Sequence, residues 1–406
     1  MKIIYAVLTA ALLAACHSAS TDAPKDAPKA AYAPNAPHQP SVAELTALGR
    51  AMFADTSLSA SGKVACASCH SPDHAFSPPN NLAVQLAGSD GRTEGTRAAP
   101  SLRYIQNVPA FSEHYHDDDG DDSLDAGPTG GHDWDGRAQS AHEQALGPLL
   151  SAREMGNKDE AAVLARLSGG SLAGRFKQVF GADIFARPRA AIQGALMALE
   201  VFQESPTEFY PYTSKYDAYL RKQTTLTAQE ERGLKLFNDE TKGNCASCHI
   251  SRISPGGVFP QFTDYGLINI GVPRNRKLAV NADPAYYDLG LCGPDRTDLK
   301  DHQEYCGRFK TPSLRNVALR KVFFHNGSFT SLQQVIRFYV TRDTTPQKWY
   351  QGGRKFDDQP AGLDANVNME APFGGKPGDK PALNERDIAD MVVFLKTLTD
   401  GYAVKN

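Results

Sequence analysis

The sequence predicts a mainly α-helical protein made of two similar halves, with little β-structure. Apolar residues recur at helical spacing, most clearly at 190–202 and 388–398, and no run of alternating β-branched residues is long enough for a sizeable sheet. The pentapeptide CASCH occurs twice, at 66–70 and at 245–249. Because the segments around the two copies also match each other, we infer an internal duplication of about 180 residues.

The amino-terminal segment has the pattern of an export signal. A short cationic start precedes an apolar stretch at 3–13, which is too short for a stable transmembrane helix. The sequence LAAC that ends at Cys16 resembles the lipobox of bacterial lipoproteins, so we expect a signal peptide at 1–15 and a lipid on Cys16; an ordinary signal cut nearby is the alternative. Residues 16–40, rich in alanine and proline, are predicted to be a disordered tether. The protein is therefore expected in the periplasm, anchored to a membrane by its N-terminal lipid.

Charge and cysteine content narrow the possible roles of the protein. A formal net charge of -3, without a basic cluster, is unlike a nucleic-acid-binding surface, so no nucleic-acid partner is expected. Of the 7 cysteines, Cys16 and the four in the CASCH motifs leave Cys292 and Cys306. We expect these two to form a disulfide, because an exported protein enters an oxidising compartment; two free buried thiols are the alternative.

Each CASCH copy follows a segment with the signals of a capped helix. Ser41 and Thr227 each begin the S/T-x-x-E pattern of a capping box, and the apolar run after each of them ends in Gly-x-x-x-Phe. Two further pairs of motifs match downstream: PSLRY at 100–104 with PSLRN at 312–316, and WDGRAQS at 134–140 with HNGSFTS at 325–331. We therefore assign residues 41–215 to an N-terminal domain and residues 216–406 to a C-terminal domain.

The CASCH motif itself indicates covalently attached haem. In the pattern C-x-x-C-H, two thiols form thioethers to a c-type haem and the histidine becomes the proximal iron ligand. The predicted haem-binding residues are Cys66, Cys69 and His70 in the first half, and Cys245, Cys248 and His249 in the second. Zinc is the alternative, but a zinc site needs four ligands in one place, and the two motifs lie in separate repeats. We expect two haems, one in each domain.

Several longer segments resemble the bacterial dihaem cytochrome c peroxidase superfamily, in particular its MauG-like branch. They are LGRAMFADTSLSASGKVACASCH, WDGRAQSAHEQALGPLLSAREM, FKTPSLRNVALRKVFFHNGSFTSLQQVIRFY and NERDIADMVVFLKTL, which occur in this order. The resemblance implies two cytochrome c-like domains, with hydrogen peroxide reduced at one haem while the other passes or stores electrons. It also implies a partner, which is either a small electron-donor cytochrome or cupredoxin, or a protein substrate.

The duplication predicts that the two haems differ. Counting twelve residues from the matched glycines Gly136 and Gly327 pairs Pro148 with Tyr339. Tyr339 falls on the apolar face of a predicted helix, and a buried phenol oxygen is a suitable ligand for ferric iron; a core tyrosine bonded to a backbone carbonyl is the alternative. Proline has no ligating atom, so the His70 haem is predicted to be open to peroxide. The resemblance agrees, since MauG-like members have tyrosine where ordinary members have methionine.

An open haem also needs a group that moves a proton between the two oxygens of peroxide. Glu154 is the candidate acid and base, because a carboxyl group in a largely apolar pocket can have a raised pKa and the resemblance implies a distal glutamate here. The resemblance likewise implies a distal glutamine at Gln144 and a tryptophan between the haems at Trp134. Without it, solvent-facing positions for Glu154 and Gln144 and core packing for Trp134 are the simpler interpretations.

Three other features give weaker predictions. The acidic insert at 117–125 is interpreted as a solvated loop, with docking of a basic partner or calcium binding as alternatives. The resemblance implies Ca²⁺ between the haems, but Tyr104 replaces the family's asparagine, which weakens the calcium prediction. Arg103 and Arg315 recur at matched positions and either bind haem propionates or form ion pairs.

The main functional prediction is a dihaem peroxidase that reduces hydrogen peroxide at the first haem. The alternatives are a MauG-like enzyme that oxidises a protein partner, a non-catalytic dihaem electron carrier, and an oxygenase acting on an apolar substrate. An electron carrier requires both irons to be six-coordinate, which Pro148 argues against.

Overall fold

The computed structural model describes residues 39–116 and 126–404. The predicted signal peptide at 1–15, the lipidation site Cys16, all but the end of the tether at 16–40, and the acidic insert at 117–125 lie outside these residues. Among the helices given below, none combines the length and apolar content needed to span a membrane.

The protein is mainly helical, as predicted. The α-helices are α1 (Val42–Phe53), α2 (Cys66–Cys69), α3 (Ala141–Leu150), α4 (Glu160–Gly169), α5 (Ala173–Phe180), α6 (Pro188–Gln203), α7 (Pro206–Phe209), α8 (Lys215–Leu220), α9 (Ala228–Asn238), α10 (Leu332–Thr341) and α11 (Glu385–Lys396). The strands are two residues long: β1 (Leu86–Ala87) pairs antiparallel with β2 (Thr93–Glu94), and β3 (Leu267–Ile268) with β4 (Phe309–Lys310). Helices and long connecting segments therefore build the hydrophobic core.

The helix before each CASCH motif begins with the predicted capping box. The side-chain oxygens of Ser41 and Thr227 accept the N–H groups of Glu44 and Glu230, and both glutamates bond back to the backbone of the capping residue. This fixes where α1 and α9 begin, and hence where each haem-attachment motif follows.

A glycine allows close helix packing in each half. Helix α1 packs on α6, and α9 packs on α11. A Cβ atom at Gly49 would lie 1.9 Å from the carbonyl oxygen of Ala198, and one at Gly233 would lie 2.2 Å from that of Asp390. No other residue type fits at these contacts without moving the helices apart.

The buried side chains form two main clusters, one drawn from residues 45–209 and the other from residues 216–398. A smaller cluster around Leu291 and Tyr305 includes Cys292, which is joined to Cys306 by a disulfide. Each main cluster includes the first cysteine of one CASCH motif, so each attachment site is built into its own core.

Candidate haem sites

The histidine of each CASCH motif is oriented by a backbone carbonyl. Nδ1 of His70 lies 3.2 Å from the carbonyl oxygen of Phe76, and Nδ1 of His249 lies 2.9 Å from that of Phe262. Burial lowers the pKa of both imidazoles to about 4. Each ring is therefore neutral, with Nδ1–H donated to the carbonyl and Nε2 free to bind iron.

The PSLR motif holds that carbonyl in place. In the first half, the Ser101 hydroxyl and the Leu102 N–H donate to the carbonyl oxygens of residues 75 and 76, at 2.7 and 3.3 Å. The equivalent serine and leucine of the second half donate to the carbonyls of residues 261 and 262, at 2.6 and 3.3 Å. The residue that carries the histidine-orienting carbonyl has a φ of 53° in the first half and 56° in the second, a strained conformation that these bonds stabilise. The recurrence of PSLR thus follows from its support of the proximal histidine.

A cavity of about 370 Å³ lies beside Cys245, Cys248 and His249 of the second half, and its lining also includes Asp133, Trp134 and Gln144 of the first half. Both cysteines are outside any disulfide. On its largely apolar wall, the Tyr265 hydroxyl and Nε2 of His325 are buried without a hydrogen-bond partner among the described residues, and the nearest carboxylate oxygen to that Nε2 is that of Asp358 at 4.0 Å. A haem combines an apolar ring with polar propionates, so the thiols, the histidine, the apolar wall and the unmatched polar atoms all fit this cofactor.

Tyr339 lies on α10 and lines the same cavity. Its ring stacks on those of Phe373 and Phe324, with centroids 5.3 and 6.1 Å away. Burial, and then the charges of Cys248 and Cys245, raise the pKa of Tyr339. A phenolate here needs a cation such as ferric iron close by. Within the described chain we find no hydrogen bond from the phenol oxygen to the backbone carbonyl that the alternative interpretation requires.

The equivalent helix of the first half, α3, begins in the same way but presents a proline. Ser140 accepts the N–H of Glu143 at 3.1 Å, as Ser331 does for its own helix α10. Pro148 lies inside α3, at the position that Tyr339 has in α10. A proline ring has no lone pair to offer, so α3 supplies no iron ligand at this position.

Glu154 lies in the turn that follows α3. Its N–H donates to the carbonyl of Ser151 at 3.0 Å, and its carbonyl accepts the N–H of Gly88 at 2.6 Å. Glu154 is an exposed residue, but desolvation of its carboxyl group by the surrounding protein, ahead of the charge of Asp133, raises the pKa of that group to about 7. Burial raises the pKa of the Cys69 thiol, and the charge of Glu154 raises it further. The carboxyl group is therefore near the first attachment site and able to exchange a proton at neutral pH.

Asp133 and Arg137 belong to this site, although sequence reasoning did not select them. The Gln144 side-chain amide donates to Oδ1 of Asp133 at 3.1 Å, and Nη2 of Arg137 lies 3.2 Å from Oδ2. Burial raises the pKa of Asp133, and Arg137 partly offsets this. Gln144 thus orients the carboxyl group that acts on Glu154. Aligning the two halves could have pointed to Asp133, because this acidic residue corresponds to the apolar Phe324.

Trp134 and its counterpart His325 are both hydrogen-bonded to the backbone of Ala98. The indole N–H of Trp134 donates to the carbonyl of Ala98 at 2.7 Å, and the N–H of Ala98 donates to the carbonyl of His325 at 2.7 Å. The side chains of Trp134 and His325 both line the cavity of the second half. Trp134 therefore belongs to the first half by sequence but borders the second haem site.

Arg103 and Arg315 have carboxylate partners within the protein. Nη1 of Arg103 lies 3.0 Å from Asp400, and Nη2 of Arg315 lies 2.9 Å from Asp217, so the ion-pair alternative describes both. Within residues 39–116 and 126–404, no group of three or more His, Cys, Asp and Glu side chains is arranged to hold a metal ion, and the zinc alternative finds no site there. The calcium prediction relies on backbone oxygens and stays a prediction.

Known proteins resemble the chain over most of its length. The family model described as di-haem cytochrome c peroxidase matches residues 43–225. The chain is 33% identical to the methylamine utilization protein MauG of Paracoccus denitrificans, over 89% of this chain and 90% of that protein. It is 26% identical to the cytochrome c peroxidase Ccp of Escherichia coli, over 89% of this chain and 60% of that one. The crystal structure of the diheme peroxidase BthA of Burkholderia thailandensis matches with a TM-score of 0.78 and 38% identity, over 89% of this chain and 87% of that one.

Proposed function

The chain belongs to the di-haem cytochrome c peroxidase family and is an oxidoreductase, and we propose that it reduces hydrogen peroxide to water at the haem site of His70. The observation that carries this proposal is the contrast between the two sites. Glu154, with a pKa of about 7, lies near the first attachment site, where α3 presents Pro148. The second site has Tyr339 at the corresponding position.

The overall reaction takes two electrons and two protons, so that H₂O₂ becomes two molecules of water. When bound, a c-type haem with an open position supplies the iron at which the O–O bond breaks and the oxidising equivalents are held. The Glu154 carboxylate accepts the proton of the inner peroxide oxygen and returns it to the outer oxygen, which leaves as water. Desolvation, and then the charge of Asp133, which Gln144 orients, keep the pKa of Glu154 close to the working pH.

We assign Trp134 as the relay between the two sites, with a small cytochrome or a cupredoxin as external donor. A phenolate ligand from Tyr339 favours ferric over ferrous iron, so the second site holds oxidising equivalents more readily than it accepts electrons. The same feature supports a second candidate function, the oxidation of side chains on a protein partner. In both cases we propose a periplasmic protein with a lipid on Cys16 and with thioether bonds from the CASCH thiols to the haems.

Electron paramagnetic resonance of the ferric protein tests the proposal. One high-spin and one low-spin iron are expected, because the proposal gives the second site a ligand in Tyr339, where α3 of the first half has Pro148. Two low-spin signals would identify an electron carrier and contradict the proposal. Peroxide consumption measured with a reduced cytochrome, and separately with candidate protein partners, distinguishes the two candidate functions.

A further inference from the structure

Arg320 is a cation on the wall of the cavity beside Cys245, Cys248 and His249, and among the described residues it has no carboxylate partner. Other arginines in the interior pair with an aspartate, as Arg315 and Arg342 do at 2.9 and 2.7 Å. Arg320 instead donates to the carbonyl of Ala99 at 3.2 Å and to the hydroxyl of Ser77 at 3.4 Å. Within residues 39–116 and 126–404 it forms no ion pair, and burial lowers its pKa to about 10. A half-buried guanidinium without a carboxylate partner among the described residues is unfavourable, so we expect an anion to complete this site.

The guanidinium also lies next to the proposed electron relay. The carbonyls of Ala98 and Ala99 are consecutive acceptors, the first for the indole N–H of Trp134 and the second for Arg320. A positive charge close to the indole opposes the removal of an electron from it. A bound anion removes that opposition.

We propose that Arg320 binds a propionate carboxylate of the haem held by Cys245 and Cys248. The inference rests on the proposed attachment of a haem at this site. Arg320 lines the same cavity as both cysteines, and the planar guanidinium can donate to both oxygens of one carboxylate. A free anion has the same chemistry, but a propionate is tethered in the cavity and so has a high effective concentration. The resulting ion pair neutralises the charge beside Trp134.

Resonance Raman spectroscopy and redox titration of the haem-loaded protein test this assignment. Arg320→Gln should shift the propionate bending band of the second haem and lower its reduction potential. The positive charge of Arg320 stabilises the reduced haem, and the variant lacks this charge. Arg320→Lys keeps the charge but loses the planar fork, so it should shift the band with a smaller change in potential. Arg252→Gln removes the same charge from an exposed residue and should change neither the band nor the potential.

An unchanged band and potential in Arg320→Gln would overturn the proposal and leave the peroxidase function intact. A saturable response of the wild-type spectrum to added chloride or acetate would also overturn it, because that response shows a free anion at Arg320. If Arg320→Gln does not take up haem, the Arg320→Lys variant and the anion titration still decide. A wild-type protein without haem in the second site would instead refute the proposed function itself.

Discussion

His70 and His249 are held by the same backbone bonds, whereas the residues equally spaced from Gly136 and Gly327 differ between the two halves. Around each histidine, a phenylalanine carbonyl accepts Nδ1–H and a PSLR segment supports that carbonyl. After Gly136 and Gly327, the loop leads into helices that begin with the same serine cap. These hydrogen bonds and helix caps are therefore shared by the two halves, and we attribute the proposed difference between the two sites to their side chains.

Two of the three polar side chains at these positions become apolar in the second half. Asp133, Gln144 and Glu154 of the first half correspond to Phe324, Val335 and Thr345 of the second. Burying polar groups costs stability unless they are hydrogen-bonded, and the Gln144–Asp133 bond and the Arg137–Asp133 ion pair meet this need. In the second half the Phe324 ring instead stacks on that of Tyr339. The duplication thus kept the haem-attachment side and diverged on the side where a substrate or a ligand would approach.

Glu154→Gln tests the polar side chains of the first half and should have the largest effect. We expect kcat for peroxide to fall about 10²–10⁴-fold, as for loss of a general acid and base. In the wild type the carboxylate form must accept the proton, so kcat/KM should rise as the pH increases through about 7. The variant should lose this dependence. Thr345→Ser, at the corresponding position of the second half, should leave peroxide reduction unchanged, and equal rates for Glu154→Gln and the wild type would remove Glu154 from the mechanism.

Tyr339→Phe tests the corresponding side of the second site, where Tyr339 is the proposed iron ligand. The second iron should lose its low-spin signal in electron paramagnetic resonance, because no other ligand is expected opposite His249. Tyr350→Phe is the matched control, since Tyr350 is a buried tyrosine of the same half whose hydroxyl donates to the carbonyl of Gly271. The control should cost about 0.5–1.5 kcal/mol of stability and leave the spectrum unchanged. A low-spin signal that persists in Tyr339→Phe would contradict the proposed difference in iron ligation between the two sites.

The sequence was informative where the pattern was local. The capping boxes at Ser41 and Thr227 and the mainly helical fold were predicted from neighbouring residues and are confirmed. The helix predicted at 388–398 is α11, which begins three residues earlier and ends two earlier, because caps and not periodicity set its ends.

Features that depend on distant segments were not predictable. Arg320 is placed on the cavity wall by hydrogen bonds to Ser77 and Ala99, more than 200 residues away in sequence. The pKa of Glu154 depends on burial and on Asp133, which a sequence pattern does not contain. Aligning the two halves residue by residue would have shown the Asp133–Phe324 difference, but not which groups it acts on.

Gly49 and Gly233 provide a test of the close helix contact that the two halves share. Gly49→Ala and Gly233→Ala should each destabilise the protein by about 1–3 kcal/mol, because the new Cβ overlaps a backbone carbonyl of the neighbouring helix. Gly174→Ala, in α5 with nothing near its Cβ position, should instead stabilise the protein by up to about 1 kcal/mol. Denaturant unfolding of the haem-loaded protein measures all three. A large cost in one half only would show that the helix contact supports the two sites unequally.

Asp133→Asn and Arg137→Gln should have the smallest effects, and in opposite directions. The Asp133 charge raises the pKa of Glu154 and the Arg137 charge lowers it. Removing Asp133 should therefore move the acidic limb of the kcat/KM profile to lower pH, and removing Arg137 should move it to higher pH. Each shift should be below about one pH unit, since burial is the larger cause of the raised pKa. Shifts of the same sign in both variants would mean that these residues act by positioning Glu154 and not through their charges, because only an electrostatic effect reverses with the sign of the group removed.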